Sequence, residues 1–253
     1  MMHASKVVIA AAATVWASSH HAWGQPPKYP SPQEVAQEVV RLKGKFGANQ
    51  RAPGTPIVRI VLVNTAANDQ TLTMLRGQTY LMQLDLEQTK ITDAGLAYLA
   101  PLTNLQQLSL RQTHITDAGL VKLAGLTKLT ALDLTGTKVT DAGVKSLKPL
   151  AKLTVLRLGG TQITDEAAAL NGMILLESVD VGSTKITDAG VKKIARLVDL
   201  QELIIDHTDT SDACIDALVD VSSLQRLRVD GTKITDAGIA RLKAALPKLE
   251  VIK

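Results

Sequence analysis

Residues 81–104 read LMQLDLEQTKITDAGLAYLAPLTN, and two periodicities meet in them. Leu84 and Leu86 alternate with Asp85 and Glu87 at period two, the pattern of a short strand with one face turned inward. Leu96, Leu99 and Leu102 follow at three-residue spacing after Thr92-Asp93, the pattern of a short helix with one buried face. The stretch then recurs. Thr89 has counterparts at Thr65, Thr113, Thr137, Thr161, Thr184, Thr208 and Thr232, spaced by 24 residues except for a 23-residue step from Thr161 to Thr184. Thr-Asp-Ala-Gly stands intact at 92–95, 116–119, 140–143, 187–190 and 235–238, with variants at 68–71, 164–167 and 211–214. Copies in register at this period are the signature of a solenoid or array.

One copy cannot fold alone. About seven inward apolar side chains do not offset the entropy of ordering a whole repeat, so neighbours must stack and share a core. Strands stack about 4.8 Å apart while helices need about 10 Å, so the helix side must fan out. The expected fold is an α/β solenoid with a parallel sheet on its concave face and short helices on its convex face. Eight repeats and a partial ninth strand, carrying Leu249 and Ile252, fill residues 57–253. A helix over Ser31–Phe46 is expected to cover the first repeat. Ser31 and Glu34 form a capping box around Pro32, and Val35, Val39, Leu42 and Phe46 make one apolar stripe. Gly47 and Pro53-Gly54 end that unit, and 25–30 (QPPKYP) is a proline-rich spacer. Lys248, Glu250 and Lys253 decorate the last strand, where charge discourages edge pairing.

These residues resemble the leucine-rich repeat family. The resemblance begins with Leu81, Leu84, Leu86, Thr89, Ile91, Leu96, Leu99 and Leu102 and covers residues 57–252. The subtype looks like the "ITDAGL" repeats of secreted bacterial proteins, which are similar in turn to the repeats of F-box ubiquitin-ligase subunits. Two departures stand out. Thr occupies the place where many members have Asn or Cys after the strand, and no F-box accompanies the repeats. The resemblance implies a right-handed superhelix and binding to another protein through the concave face.

Composition narrows the function. The chain has 253 residues, is 45% hydrophobic and 21% charged, and is therefore globular. Aromatics make up only 2%, so Leu, Ile, Val and Ala must fill the core. A single cysteine excludes an intrachain disulfide framework. The net charge of +4 is no nucleic-acid signature at this length. Residues 1–24 read as an export signal, with Lys6 ahead of the apolar run Val7–Ala17 and small residues at Ala22 and Gly24. Cleavage removes Trp16, Trp23, His3, His20 and His21. No later segment is long and apolar enough to span a bilayer, which takes roughly 20 residues. No cysteine follows the run, so a lipoprotein anchor is not expected. The protein is thus expected in a periplasm or outside the cell, as a monomer and with no membrane insertion.

The columns generated by the repeat supply the candidate chemistry. The aligned acids Asp69, Asp93, Asp117, Asp141, Asp165, Asp188, Asp212 and Asp236 fit helix starts better than calcium turns, which use Gly-Gly-x-Gly-x-Asp. The Thr column fits hydroxyl bonds to the turn backbone. Lys90, Lys138, Lys185 and Lys233 form a partial column expected to offset the aligned Asp charges. His114 and His207 lie too far apart to share a metal, and Cys214 reads as a small buried thiol in place of the glycine. No catalytic set, cofactor motif or metal motif is present, so neither enzymatic activity nor a cofactor is expected.

The informative surface is the outward side of the strands: Asp85, Glu87, Arg111, Asp133, Arg157, Asp180, Asp206, Arg228 and Asp230. Thr135, Gly136, Gly159, Gly160, Gly182 and Ser183 keep its middle flat. The charges are either a solvated sheet face with cross-strand pairs or the binding face for a protein partner. The lack of aromatics there disfavours sugars and single-stranded nucleic acid. Two rivals to a protein-interaction module are a structural envelope component without a discrete ligand and, less favoured, an adaptor of the ubiquitin-ligase type. Repeat five, one residue short with the Ala-rich run 165–172, is expected to break the convex face.

Overall fold

The computed structural model describes residues 29–170 and 172–253. The expected export signal at 1–24 and the first part of the spacer lie outside the described residues. Ten strands form one sheet whose spatial order is the chain order. They are β1 (Lys45–Ala48), β2 (Ile57–Val61), β3 (Gln83–Asp85), β4 (Gln107–Ser109), β5 (Ala131–Asp133), β6 (Val155–Arg157), β7 (Ser178–Asp180), β8 (Glu202–Ile204), β9 (Arg226–Arg228) and β10 (Glu250–Ile252). From β2 onward every pairing is parallel, and β1 alone runs antiparallel to its neighbour. The central residues Ile60, Leu84, Leu108, Leu132, Leu156, Val179, Leu203 and Leu227 pair in one line across the sheet. All are buried, so a single row of aliphatic side chains runs the length of the core.

The convex side carries α1 (Pro32–Arg41), α2 (Asp69–Leu72), α3 (Asp93–Leu96), α4 (Asp117–Leu120), α5 (Asp141–Ser146), α6 (Asp188–Ile194), α7 (Ile215–Val219) and α8 (Asp236–Ala245). The helices α2, α3 and α4 each make one α turn and then tighten into a 3₁₀ turn. The Leu spacing explains this: side chains three residues apart lie directly above one another only at the 3₁₀ period. Leu96, Leu99 and Leu102 are all fully buried as a result.

The N-terminal cap is part helix and part strand. Ser31 and Glu34 make the reciprocal capping box, and α1 buries Val35 and Val39. The helix stops at Arg41, short of the expected Phe46. Lys43 turns left-handed (φ 60°), and Gly44 packs so closely on the first repeat that a Cβ would meet Leu62 Cδ2 and Val61 O at 2.7 Å. The chain therefore doubles back, and Phe46 enters the core edge from β1. The Gln78 side chain is buried where later repeats have Leu, and its amide donates to Pro30 O at 2.8 Å, tying the cap to repeat one.

The Thr and Asp columns divide the work at the helix starts. Each column Thr hydroxyl donates back to the strand-end carbonyl three residues earlier, as in Thr89 to Leu86 O at 2.7 Å and Thr137 to Leu134 O at 2.7 Å. Thr92, Thr116, Thr140 and Thr187 cap their own helices by accepting from the N–H two residues on. The Asp that follows does not cap its own helix through its side chain, as expected from sequence; it reaches forward. Asp93 accepts from Thr116 N at 2.8 Å and from the Thr116 hydroxyl at 2.6 Å. Asp69, Asp117, Asp141, Asp165, Asp188 and Asp212 do the same to the next repeat. The column is a row of staples between repeats.

The staple dictates the glycine. A Cβ at Gly119 would lie 2.3 Å from Asp93 Oδ1, and Gly143 and Gly238 face the preceding Asp at the same distance. Thr71, Ala167 and Cys214 occupy this position in the three repeats where glycine is missing; repeat one still enters as an α turn, whereas the other two enter as 3₁₀ turns (Ala167–Ala169 and Asp212–Cys214). Repeat five ends its turn at a left-handed Leu170 (φ 40°), the break that its short Ala-rich run foretold. Gly119→Ala should cost about 1–3 kcal/mol, the usual range for overpacking. Gly125→Ala, with nothing within 4 Å of the new methyl, should change stability by less than about 0.5 kcal/mol. Urea denaturation followed by far-UV circular dichroism checks both.

One charge expectation needs correction. Among the described residues, Lys233 is the one member of the Lys column in an ion pair, and it pairs with Asp209 of its own column, not with the Asp staples. The staples are already satisfied by Thr groups. Lys248, Glu250 and Lys253 are exposed at the last strand, and Glu250 and Lys253 also pair with Arg226 and Asp236.

Candidate recognition face

Three outward columns cross the concave sheet. The first holds Arg59, Gln83, Gln107, Ala131, Val155, Ser178, Glu202, Arg226 and Glu250 in register. The second holds the strand-end residues Val61, Asp85, Ser109, Asp133, Arg157, Asp180, Ile204, Arg228 and Ile252. Glu87, Arg111, Thr135, Gly159, Gly182, Asp206 and Asp230 follow two residues later in their repeats. The nine residues singled out from sequence thus occupy two of the three columns. Reading strand alternation one step toward the N-terminus would have added Arg59, Glu202, Arg226 and Glu250.

The arginines are held by carboxylates from neighbouring repeats. Arg111 Nε lies 3.3 Å from Glu87 Oε1, Arg157 Nη1 3.8 Å from Asp133 Oδ2, and Arg228 Nη2 2.7 Å from Asp206 Oδ2. Arg226 bridges Glu202 at 3.0 Å and Glu250 at 3.3 Å. The carboxylates are fixed in turn by backbone N–H groups: Asp85 accepts from Glu87, Asp133 from Thr135, Asp180 from Gly182 and Asp206 from Asp230, all at 2.9–3.1 Å. The Ser178 hydroxyl, then Arg226, hold Glu202 below the usual carboxylate range. Asp180 goes the other way. Burial pushes its pKa up, the Gly182 N–H opposes this, and the carboxylates of Asp133 and Asp206 add to the rise.

Four of the nine residues, Asp85, Glu87, Asp133 and Arg157, converge on a shallow hollow of about 280 Å³ in the first half of the face. Gln83, Gln107, Ser109 and Ala131 lie among its lining residues, with Arg59 at its N-terminal edge. Arg111 is joined to this group through Glu87. Asp180, Asp206, Arg228 and Asp230 lie farther along. Arg59 and Asp85 have no ion-pair partner among the described residues. Across the three columns five arginines (59, 111, 157, 226 and 228) stand against eight acids (85, 87, 133, 180, 202, 206, 230 and 250). The face is therefore acidic on a chain whose net charge is +4.

The remaining candidates stay apart. His114 and His207 are exposed on loops, and His207 Nδ1 sits 3.0 Å from Asp230 O. Cys214 is fully buried, and burial, then Asp188, pushes its thiol up to about 12. Iodoacetamide at pH 8 should therefore label Cys214 only after denaturation, as read by intact mass. Among the described residues no group of His, Cys, Asp and Glu could hold a metal ion, and no helix is long and apolar enough to cross a membrane.

Five successive segments, 77–100, 102–124, 125–148, 150–170 and 173–195, match the leucine-rich repeat family. The fold is a leucine-rich repeat solenoid. Among solved structures, the solenoid is similar to internalin C2 of Listeria monocytogenes, at 19% identity and a TM-score of 0.54. The match covers 84% of this chain and 100% of that one, and at this identity it speaks for the fold. Curated proteins give no significant match. The repeats suggest a protein-interaction module.

Proposed function

We propose that the chain is an exported, non-enzymatic recognition protein, acting as a monomer in a periplasm or outside the cell. It binds another protein through the concave face at Asp85, Glu87, Arg111, Asp133, Arg157, Asp180, Asp206, Arg228 and Asp230. The observation that carries this reading is the set of inter-repeat arginine–carboxylate pairs. Such pairs on an exposed sheet add little stability, typically about 0–1 kcal/mol each. Their value is preorganisation: side chains already ordered lose less entropy when a partner docks. The hollow beside Ser109 and Ala131 leaves room for that partner's side chains.

A photo-crosslinking amino acid placed at Ser109 or Ala131 tests this in the native envelope. A discrete protein adduct should form from both positions and not from Val121, which is exposed on the convex side. Adducts from Val121 alone would move recognition to the helices. Adducts only with further copies of the chain would favour a structural envelope component.

A further inference from the structure

We infer that repeats five and six carry a second protein-docking site on the rim where helices turn into strands. Its occupant is a protein segment that pairs a bulky apolar side chain with a lysine or arginine. Each strand is opened by a buried leucine, and the residue two before it is Thr79, Thr103, Thr127, Ala151, Ile174, Val198, Ser222 and Pro247 in successive repeats. Branched aliphatics occur there only in repeats five and six. Ile174 is 68% exposed and Val198 is 77% exposed, more than any other large hydrophobic residue described, and Leu175 adds 44%. Ile174 and Val198 each lie four residues before a paired strand position, Ser178 and Glu202. Gln201 N also bonds Glu177 O at 2.7 Å, so the two side chains sit side by side on one rim.

Glu177 and Gln201, three residues beyond Ile174 and Val198, line an open hollow of about 740 Å³ that starts at Val155 and runs past Glu202, Arg226 and Glu250 to Lys248. An apolar centre with a polar, hollowed margin is the anatomy of a docking site and not of a solvated loop. The charges orient the occupant. Arg226 is already engaged by Glu202 and Glu250. Glu177 and Asp199, next to Leu176 and Val198, are exposed acids with no ion-pair partner among the described residues. Lys152 stands one repeat earlier, in Leu175's column, and repels a cation from that side. The bound segment therefore lays its apolar side chain on Ile174 and Val198 and points its cation toward Glu177 and Asp199.

Random twelve-residue peptides displayed on phage and panned against the chain supply the probe. The expected peptides carry a large apolar residue within four positions of Lys or Arg. A synthetic representative should bind Ile174→Asp/Val198→Asp at least tenfold more weakly. Both residues are exposed, so melting should be unchanged. Glu177→Lys should weaken the same peptide, and exchanging the peptide's cation for Glu should restore binding to that variant. Failure to enrich such peptides, or affinity unchanged by both variants, overturns the proposal. Binding that survives both variants and is lost on Arg111→Glu/Arg157→Glu/Arg228→Glu assigns the peptide to the concave face instead, and so separates this proposal from the one above.

Discussion

Leu132→Ala should lower the free energy of unfolding by about 3 kcal/mol, within the range for fully buried leucines. Leu132 is 1% exposed at the middle of β5 and pairs in register with Leu108 and Leu156. Deleting its side chain leaves a cavity that neighbouring strands cannot close, because each is fixed by ladders on both sides. In a solenoid the loss is felt at two interfaces, since each repeat is stabilised mainly by its neighbours. Val251→Ala on the terminal β10 is the contrast. That side chain is only half-buried and has a neighbour on one side, so the cost should stay below about 1.5 kcal/mol. Urea titration by circular dichroism measures both. Equal losses at the two positions would mean that the row of aliphatic residues is not one continuous core.

The staple predicts a second large effect. Asp117→Ala removes two bonds to the next repeat, at 2.8 Å to Thr140 N and 2.6 Å to the Thr140 hydroxyl, and strands a half-buried N–H. The expected cost is about 2 kcal/mol, since bonds to a charged acceptor are worth more than neutral ones and an orphaned donor adds its own penalty. Asp236→Ala is the internal control. Its side chain is 92% exposed and reaches Lys253 instead of a following Thr, so the change should stay within about 0.5 kcal/mol. If the acids were instead calcium ligands, a chelator would lower the melting temperature of the native protein; no such shift is expected.

The fold was legible because it rests on periodicity. Leu84 and Leu86 declare the strand, the three-residue spacing of Leu96, Leu99 and Leu102 declares the turn, and repetition turns both into a sheet with a helical back. The Ser31 and Glu34 capping box marks where α1 begins, but not where it ends. Phe46 stands at helical spacing from Leu42, and only the tight fit of Gly44 against Leu62 sends the chain back as β1. The Asp column misled for a related reason. Within one repeat, Thr-Asp reads as a helix cap, whereas its partner lies in the next repeat, a contact that no local window contains. The spacing from each Asp to the glycine of the next repeat, constant but for the one-residue-short step from Asp165 to Gly190, was the available clue, and Ala167 and Cys214 were its exceptions. On the concave face, alternation identified outward residues correctly for two columns. The pairing of Arg111 with Glu87 and of Arg228 with Asp206 depends on which columns touch across a parallel ladder, a matter of register.

The measurement that bears most directly on recognition is the affinity of the crosslinked partner for the native chain and for Arg111→Glu/Arg157→Glu/Arg228→Glu. The substitutions leave Glu87, Asp133 and Asp206 facing new negative charges, while the exposed pairs they break contribute little to stability. The melting temperature should move by only a few degrees, and affinity should fall at least tenfold, about 1.4 kcal/mol. Unchanged affinity in a folded variant would contradict concave-face recognition.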